Sequence, residues 1–144
     1  MAQEGLGDSW QCILANDNSE KKAAAYIENW DKKQRHIICD DVQSLTIDQI
    51  EGVAADLSWA SFPCQDLSLA GNRSGLKGER SGTFWPYWEL MSQLIDAGRG
   101  PKIVVLENVY GALRSHKGKD FSAIASALAD KNYKFGAMVI DAVK

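Results

Sequence analysis

Cys64 lies in the tetrad Phe62-Pro63-Cys64-Gln65, and Glu107 closes the apolar run Ile103-Val104-Val105-Leu106. The proline fixes its own φ and biases Phe62 away from helix, so the thiol is expected at a strand terminus and not within a core. Glu107 ends the most hydrophobic stretch of the chain, where partial burial would favour the neutral acid. A thiolate and a neutral carboxylic acid are together what addition to a pyrimidine ring requires.

Cys12, Cys39 and Cys64 are the three cysteines, widely spaced and without a C-x-x-C pair, and His36 and His116 are the two histidines. Neither a disulfide framework nor a metal site is expected from these. Cys12 and Cys39 lie in apolar runs and read as inert core thiols, which leaves Cys64 as the candidate nucleophile.

Three ordered blocks carry a resemblance to a known family: Asp56 to Gly71, then Arg80-Ser81-Gly82-Thr83-Phe84, then Glu107-Asn108-Val109. From about Asn16 to the last residue the chain resembles the DNA (cytosine-5)-methyltransferases. The resemblance implies an α/β, Rossmann-like, S-adenosylmethionine-dependent methyltransferase fold, an incomplete and mostly parallel sheet with helices on both faces. It implies that Cys64 adds as thiolate to carbon 6 of a flipped-out cytosine while Glu107 hydrogen-bonds or protonates ring N3. Carbon 5 then becomes the nucleophile that takes the methyl group. Asn108 would brace the Pro63-Cys64 turn, its other reading being a strand-end cap.

For the methyl donor, S-adenosylmethionine, the resemblance points to Asp17 at the ribose hydroxyls and Asp41 at the adenine amino group, with Asn18 and Val42 flanking the adenine and Phe84 beside the donor. The family usually has the longer glutamate where Asp17 stands, and either aspartate also reads as a helix cap or loop residue. For double-stranded DNA it points to the Phe62 carbonyl, Pro63, Gln65, Ser68 and Arg80, with Arg73, Lys77 and Lys117 as further phosphate contacts.

Composition bounds the remainder. At 144 residues, 45% hydrophobic and 24% charged, the chain reads as one soluble domain over residues 1–144. No apolar run approaches the length of a membrane span and no charged-then-apolar leader opens the chain, so a cytoplasmic location is expected. The net charge is −3, yet residues 72–80 and 114–120 are each +2. That leaves the rest at −7 and concentrates positive charge just after the two candidate catalytic blocks, where phosphate contact competes with a plain solvated loop.

The elements that must position these residues alternate between strand and helix, the pattern of a parallel sheet with crossover helices. Strands are expected at Cys12–Ala15, Ile37–Cys39, Val53–Leu57 with Trp59 as far limit, Ile103–Leu106 and Phe135–Ile140. A helix capped by Asn18 or Ser19 should bury Ala23, Tyr26, Ile27 and Trp30, and Thr46–Ile50 should make one or two helical turns. A third helix, with Pro86 in its first turn, should bury Phe84, Trp88, Met91, Leu94 and Ile95 before Gly98 and Gly100. Asp120 is expected to cap a fourth helix carrying Phe121, Ile124, Ala125 and Leu128. In such a fold Asp17, Asp41, Cys64 and Glu107 fall at or just past carboxyl ends of strands, the ligand-binding edge of open α/β sheets.

By the resemblance, both termini are expected to be cut. The family's first strand with its glycine-rich cofactor loop would precede the chain, Gly5-Leu6-Gly7 being the turn after a helix. The target recognition domain would follow Lys144. A gap is then expected between the strands ending near Asn16 and Trp59, inviting a second chain or self-association. The rival reading is a non-catalytic or split-enzyme subunit of the same lineage that binds DNA or a partner.

Overall fold

A computed structural model describes residues 2–32, 36–50, 52, 54–62 and 83–141. Pro63, Cys64, Gln65, Ser68, Arg73, Lys77 and Arg80 lie outside the described residues. The chain divides into two compact units, Met1–Trp59 with Pro86–Val105 and Ala60–Trp85 with Leu106–Lys144.

The first unit opens with α1 (Ala2–Leu6), ended by Gly7 at φ +71°, the turn after a helix that the sequence predicts. A β-α-β unit follows: β1 (Ala15–Asn16), α2 (Glu20–Trp30) and β2 (Ile37–Ile38), with β1 and β2 parallel and Asn16 opposite Ile38. β1 starts later and is shorter than the Cys12–Ala15 run suggests, because its rungs to the β2 segment begin only at Ala15, whose amide donates to the His36 carbonyl at 2.7 Å. Ala23 is the buried residue of α2, Tyr26 and Ile27 are half-buried, and Trp30 is exposed but lies 5.6 Å from the Tyr26 ring.

Asp31, 4% exposed, joins the end of α2 to the start of β2. Its Oδ2 accepts from the amides of His36 and Ile37 at 3.1 and 3.0 Å, and its Oδ1 lies 3.4 Å from His36 Nδ1. The other imidazole nitrogen, Nε2, is 3.1 Å from the Tyr26 hydroxyl. Short 3-10 turns follow at Val42–Ser44 and Ile47–Gln49, the latter where a helical turn is expected.

β3 (Leu57–Ser61) and β4 (Ile103–Glu107) pair with each other, and both run on into the second unit. β3 lies later than expected and delivers the chain directly to Phe62. Leu57-Ser58-Trp59-Ala60-Ser61 has the strand alternation, whereas alanine at 54 and 55 is a weak strand former. The ladder is anchored at its start by the Ile103 amide on the Asp56 carbonyl (3.0 Å) and by Lys102 on the Asp56 carboxylate (2.7 Å). Among the described residues β1–β2 and β3–β4 are separate two-stranded ladders, so the sheet is incomplete, as expected.

α3 (Phe84–Asp96) carries Pro86 in its first turn, where a missing amide hydrogen costs no helical bond. Trp88, Leu90, Met91 and Leu94 are buried within the first unit, each contributing on the order of 1.5–3 kcal/mol. The helix ends in a Schellman motif: Gly98 at φ +71° donates to Ile95 O at 2.9 Å, and Arg99 to Leu94 O at 2.7 Å. Gly100 is required by close approach, since a Cβ there would collide with the Ile95 side chain. The Arg99 guanidinium then donates to the carbonyls of Ile47 and Ile50, satisfying the second 3-10 turn.

The second unit contains α4 (Lys119–Asp130), with Ile124 and Leu128 buried and Phe121 and Ala125 half-buried, the face its periodicity predicts. Asn132 at φ +65° and Tyr133 close it with bonds to Ala129 O and Leu128 O at 2.9 and 3.0 Å. The expected fifth strand is not formed. Residues 133–141 have no regular structure, and Phe135, Met138, Val139 and Ile140 are 51–81% exposed. A strand exists only with a neighbour's hydrogen bonds, and none of the described strands pairs with this segment. No described helix is long and apolar enough to cross a membrane.

Burial, and then the Cys12 thiol beside it, raise the Tyr26 pKa well above its ordinary value. A raised folded-state value means that the phenol's contribution is complete below the unfolded pKa of about 10 and declines above it, as the unfolded chain ionises first. The melting temperature is therefore expected to fall between pH 9.5 and 11, and Tyr26→Phe to flatten that fall. An unchanged slope in the variant contradicts this.

Candidate active site

Asp17 and Asp41 follow the ends of β1 and β2 in the first unit. Asp17 Oδ1 accepts from the Ser19 amide at 2.9 Å, so Asp17 supplies the side-chain bond at the start of α2 while Ser19, in the capping position, makes none. Its Oδ2 lies 3.5 Å from Lys22 Nζ, an exposed contact. Asp41 does the same for the first 3-10 turn: Oδ1 accepts from the Gln43 amide at 2.9 Å, and Oδ2 has no bond to any described residue. Each aspartate thus uses one oxygen to cap the backbone that follows, the local competition that Asx residues favour. Asn18 is exposed and Val42 is half-buried.

A residue that the sequence reading passed over ties these two strand ends together. Asn16 donates both hydrogens of its side-chain amide across the ladder, to Ile38 O at 3.0 Å and to Asp40 O at 2.9 Å.

In the second unit, β3 and β4 end at Phe62 and at Glu107-Asn108. The Asn108 amide nitrogen donates to the Phe62 carbonyl at 2.9 Å, while its oxygen accepts from the Val109 amide at 2.8 Å. Phe62 is buried, its ring 5.5 Å from that of Phe84, and Phe84 packs edge-on to Trp85 at 4.9 Å. Phe84 is 0% exposed, so its ring supports Phe62 from within the core and offers no open face.

Glu107, expected to be partly buried, is exposed. Burial at a strand end depends on cover supplied by other segments, and none of the described residues covers this carboxylate.

Beyond β4 the chain enters 3-10 turns at Tyr110–Leu113 and Ser115–Gly118. His116 (φ 45°, ψ 42°), Lys117 (φ 61°, ψ 36°) and Gly118 (φ 82°, ψ 1°) are consecutive left-handed residues. The two with side chains cost about 1–2 kcal/mol each. Asp120 holds the turn and does not cap α4, because Gly118 occupies the capping position. Buried at 2% exposure, Asp120 uses Oδ2 to accept from the Ser115 hydroxyl and to meet His116 Nδ1 at 2.7 Å. Its Oδ1 is buried without a partner among the described residues. Arg114, Lys117 and Lys119 are exposed around this turn, Arg114 lying over the Tyr110 ring at 5.8 Å. Consecutive left-handed residues leave no signal in the sequence except Gly118, which is why the turn was not foreseen. No group of three metal-ligating side chains occurs among the described residues.

Together these features define an α/β protein with an aspartate after each strand of its β-α-β unit and an asparagine brace joining the ends of β3 and β4. The family model for C-5 cytosine-specific DNA methylases matches residues 2–144, and the chain belongs to that family. It is 40% identical over 89 residues to the type II methyltransferase M2.BsuMI of Bacillus subtilis strain 168, covering 62% of this chain and 23% of that protein. It is 26% identical over 133 residues to the type II methyltransferase M.Bsp6I of Bacillus sp. strain RFL6, covering 92% of this chain and 39% of that protein. The orphan methyltransferase M.SPRI of Bacillus phage SPR is 33% identical over 79 residues, 55% of this chain and 17% of the phage protein. The chain therefore spans well under half the length of these relatives.

If Asp120 holds the left-handed turn, Asp120→Ala should destabilise the protein by about 2–4 kcal/mol, the loss of two carboxylate hydrogen bonds being offset in part by relief of the strained turn. The urea midpoint should fall accordingly. A change below about 0.5 kcal/mol would mean that the turn is held by something else.

Proposed function

We propose that this chain provides the catalytic chemistry of a DNA cytosine-5 methyltransferase. The observation that carries the reading is the bond from Asn108 to the Phe62 carbonyl, because it joins the Glu107-Asn108-Val109 block to the residue immediately before Pro63-Cys64. Two blocks far apart in sequence are thereby fixed at one end of the β3–β4 ladder.

In this reading Cys64 adds as thiolate to carbon 6 of a cytosine extruded from duplex DNA, and Glu107 donates a hydrogen bond or proton at ring N3. Withdrawal of charge to N3 makes the addition favourable and leaves carbon 5 electron-rich. Asn108 acts by holding the carbonyl of Phe62, the residue that precedes Pro63 and the thiol. Gln65, Ser68 and Arg80 contact the displaced strand, and the Phe62 carbonyl, with one lone pair taken by Asn108, has a second available for the cytosine amino group. The exposed Lys117 and its neighbours meet phosphate.

The residues of the first unit fit the family's methyl donor. Asp41 keeps one carboxylate oxygen without a bond to any described residue, and Asp17 contacts an exposed lysine with its second oxygen, so both can accept from a nucleoside. Asp17 would take the ribose hydroxyls and Asp41 the adenine amino group, with Asn18 and Val42 against the base. When bound, S-adenosylmethionine supplies an electrophilic methyl group.

A second reading, that the chain works with another polypeptide or with itself, is favoured by the exposed apolar segment Phe135–Ile140 and by the separate β1–β2 and β3–β4 ladders. Unpaired strand edges invite a further strand.

The test is covalent trapping. A chimaera that supplies, from M.Bsp6I, the portions of the relative lying outside the match should form a denaturation-resistant adduct with DNA carrying 5-fluorocytosine. Cys64→Ser in that chimaera should abolish the adduct. An undiminished adduct in the serine variant would remove Cys64 as nucleophile.

A further inference from the structure

We infer that Asn16 is a positioning residue for nucleoside recognition, setting Asp17 and Asp41 at a fixed separation; the inference rests on the donor-site reading above. The backbone ladder weakens where it is needed. Its first rung, Ala15 to His36, is 2.7 Å, but the last, from the Asp17 amide to Ile38 O, has lengthened to 3.4 Å. At that same carbonyl the Asn16 side chain supplies a 3.0 Å bond, and its second hydrogen reaches two residues further, to Asp40 O at 2.9 Å. A side chain therefore continues the parallel pairing past the point where the backbone lets go.

Each end of this bracket adjoins a candidate contact. On one side Asn16 is the residue before Asp17. On the other, Asp40 accepts the Asp41 amide on Oδ1 at 2.7 Å, and Asp41 then accepts the Gln43 amide. The chain of bonds runs Asn16, Asp40, Asp41, Gln43 and leaves Asp41 Oδ2 for a ligand.

Only a primary amide does this with one side chain of this length. It has two donors on a single nitrogen, whereas serine has one, and aspartate would set its own lone pairs against both carbonyls. A nucleoside whose ribose and base are read by two separate carboxylates is sensitive to their spacing. Asn16 is thus expected to act on recognition more than on stability.

Adenosine and 2′,3′-dideoxyadenosine serve as probes, titrated into the isotopically labelled full chain and followed by amide chemical shifts, which register millimolar affinities. The wild type should prefer adenosine by about tenfold, the value of one hydrogen bond to a carboxylate. Asn16→Ala should reduce that preference to less than about threefold while remaining folded, and Asn16→Ser, which keeps one donor, should fall between. A merely structural role would weaken both nucleosides alike and leave the ratio unchanged, which overturns the inference. Should the alanine variant not fold, the serine variant decides: a wild-type ratio overturns, an intermediate ratio supports. Asp17→Ala and Asp41→Ala separate the two levels. If neither alters binding, or the wild type shows no saturable shift with adenosine, the donor-site reading fails and the positioning role with it. If both weaken binding but the Asn16 variants keep the wild-type ratio, the positioning role alone fails.

Discussion

The Asn108 side-chain bond to the Phe62 carbonyl is the constraint on which the geometry at the end of the β3–β4 ladder depends. A two-stranded ladder fixes its strands along their bodies, but backbones diverge at the ends, where peptide groups lose their partners. At the end of β3 and β4 that loss is met by one amide working in both directions, donating to Phe62 and accepting from Val109. A neutral hydrogen bond of this kind is worth only about 0.5–1.5 kcal/mol net, so its consequence is geometric more than energetic. The Phe62 ring is meanwhile held by the fully buried Phe84. Backbone and side chain of the residue preceding Pro63 are therefore both fixed.

The same device recurs in the first unit. Asn16 brackets the ends of β1 and β2, and Asp17 and Asp41 each cap the backbone after them with one oxygen. Local capping and ligand contact are compatible because a carboxylate has two oxygens. Asp120 shows the opposite use of the same group: fully enclosed, it holds a left-handed turn through His116 and Ser115 and offers nothing to solvent. Asn and Asp side chains thus fix the backbone at strand ends and turns, beyond the reach of the strand ladders themselves.

Much of this was legible in the sequence, for physical reasons. Helices α2, α3 and α4 follow from periodic apolar residues, and the stops at Gly7 and Gly98 from glycine's freedom at positive φ. The strand end at Glu107-Asn108 was legible because the apolar run before it marks β4, whereas Pro63 and Cys64 lie outside the described residues. What was not legible depended on partners distant in sequence. Phe135–Ile140 has strand composition but no described strand beside it, and β3 lies later than expected because Ala54 and Ala55 are weak strand formers. Glu107 was expected under cover on the strength of the residues before it, whereas exposure is decided by what lies across from it. Asn16 carried no signal in the sequence because its two acceptors lie 22 and 24 residues away.

The central proposal is that Asn108, acting through the Phe62 carbonyl, governs the reactivity of Cys64, and the rate of thiol alkylation measures it most directly. Cys39, expected in the core but exposed on the first unit because it follows the last residue of β2, is the internal reference, and peptide mass spectrometry separates the three cysteines. Thiolate reactivity depends on the polar groups that a turn presents to the sulfur. In Asn108→Ala the iodoacetamide rate at Cys64 relative to Cys39 should fall severalfold while the rate at Cys39 itself is unchanged. An unaltered ratio would contradict the account, because the bond between the two blocks would then have no bearing on the nucleophile.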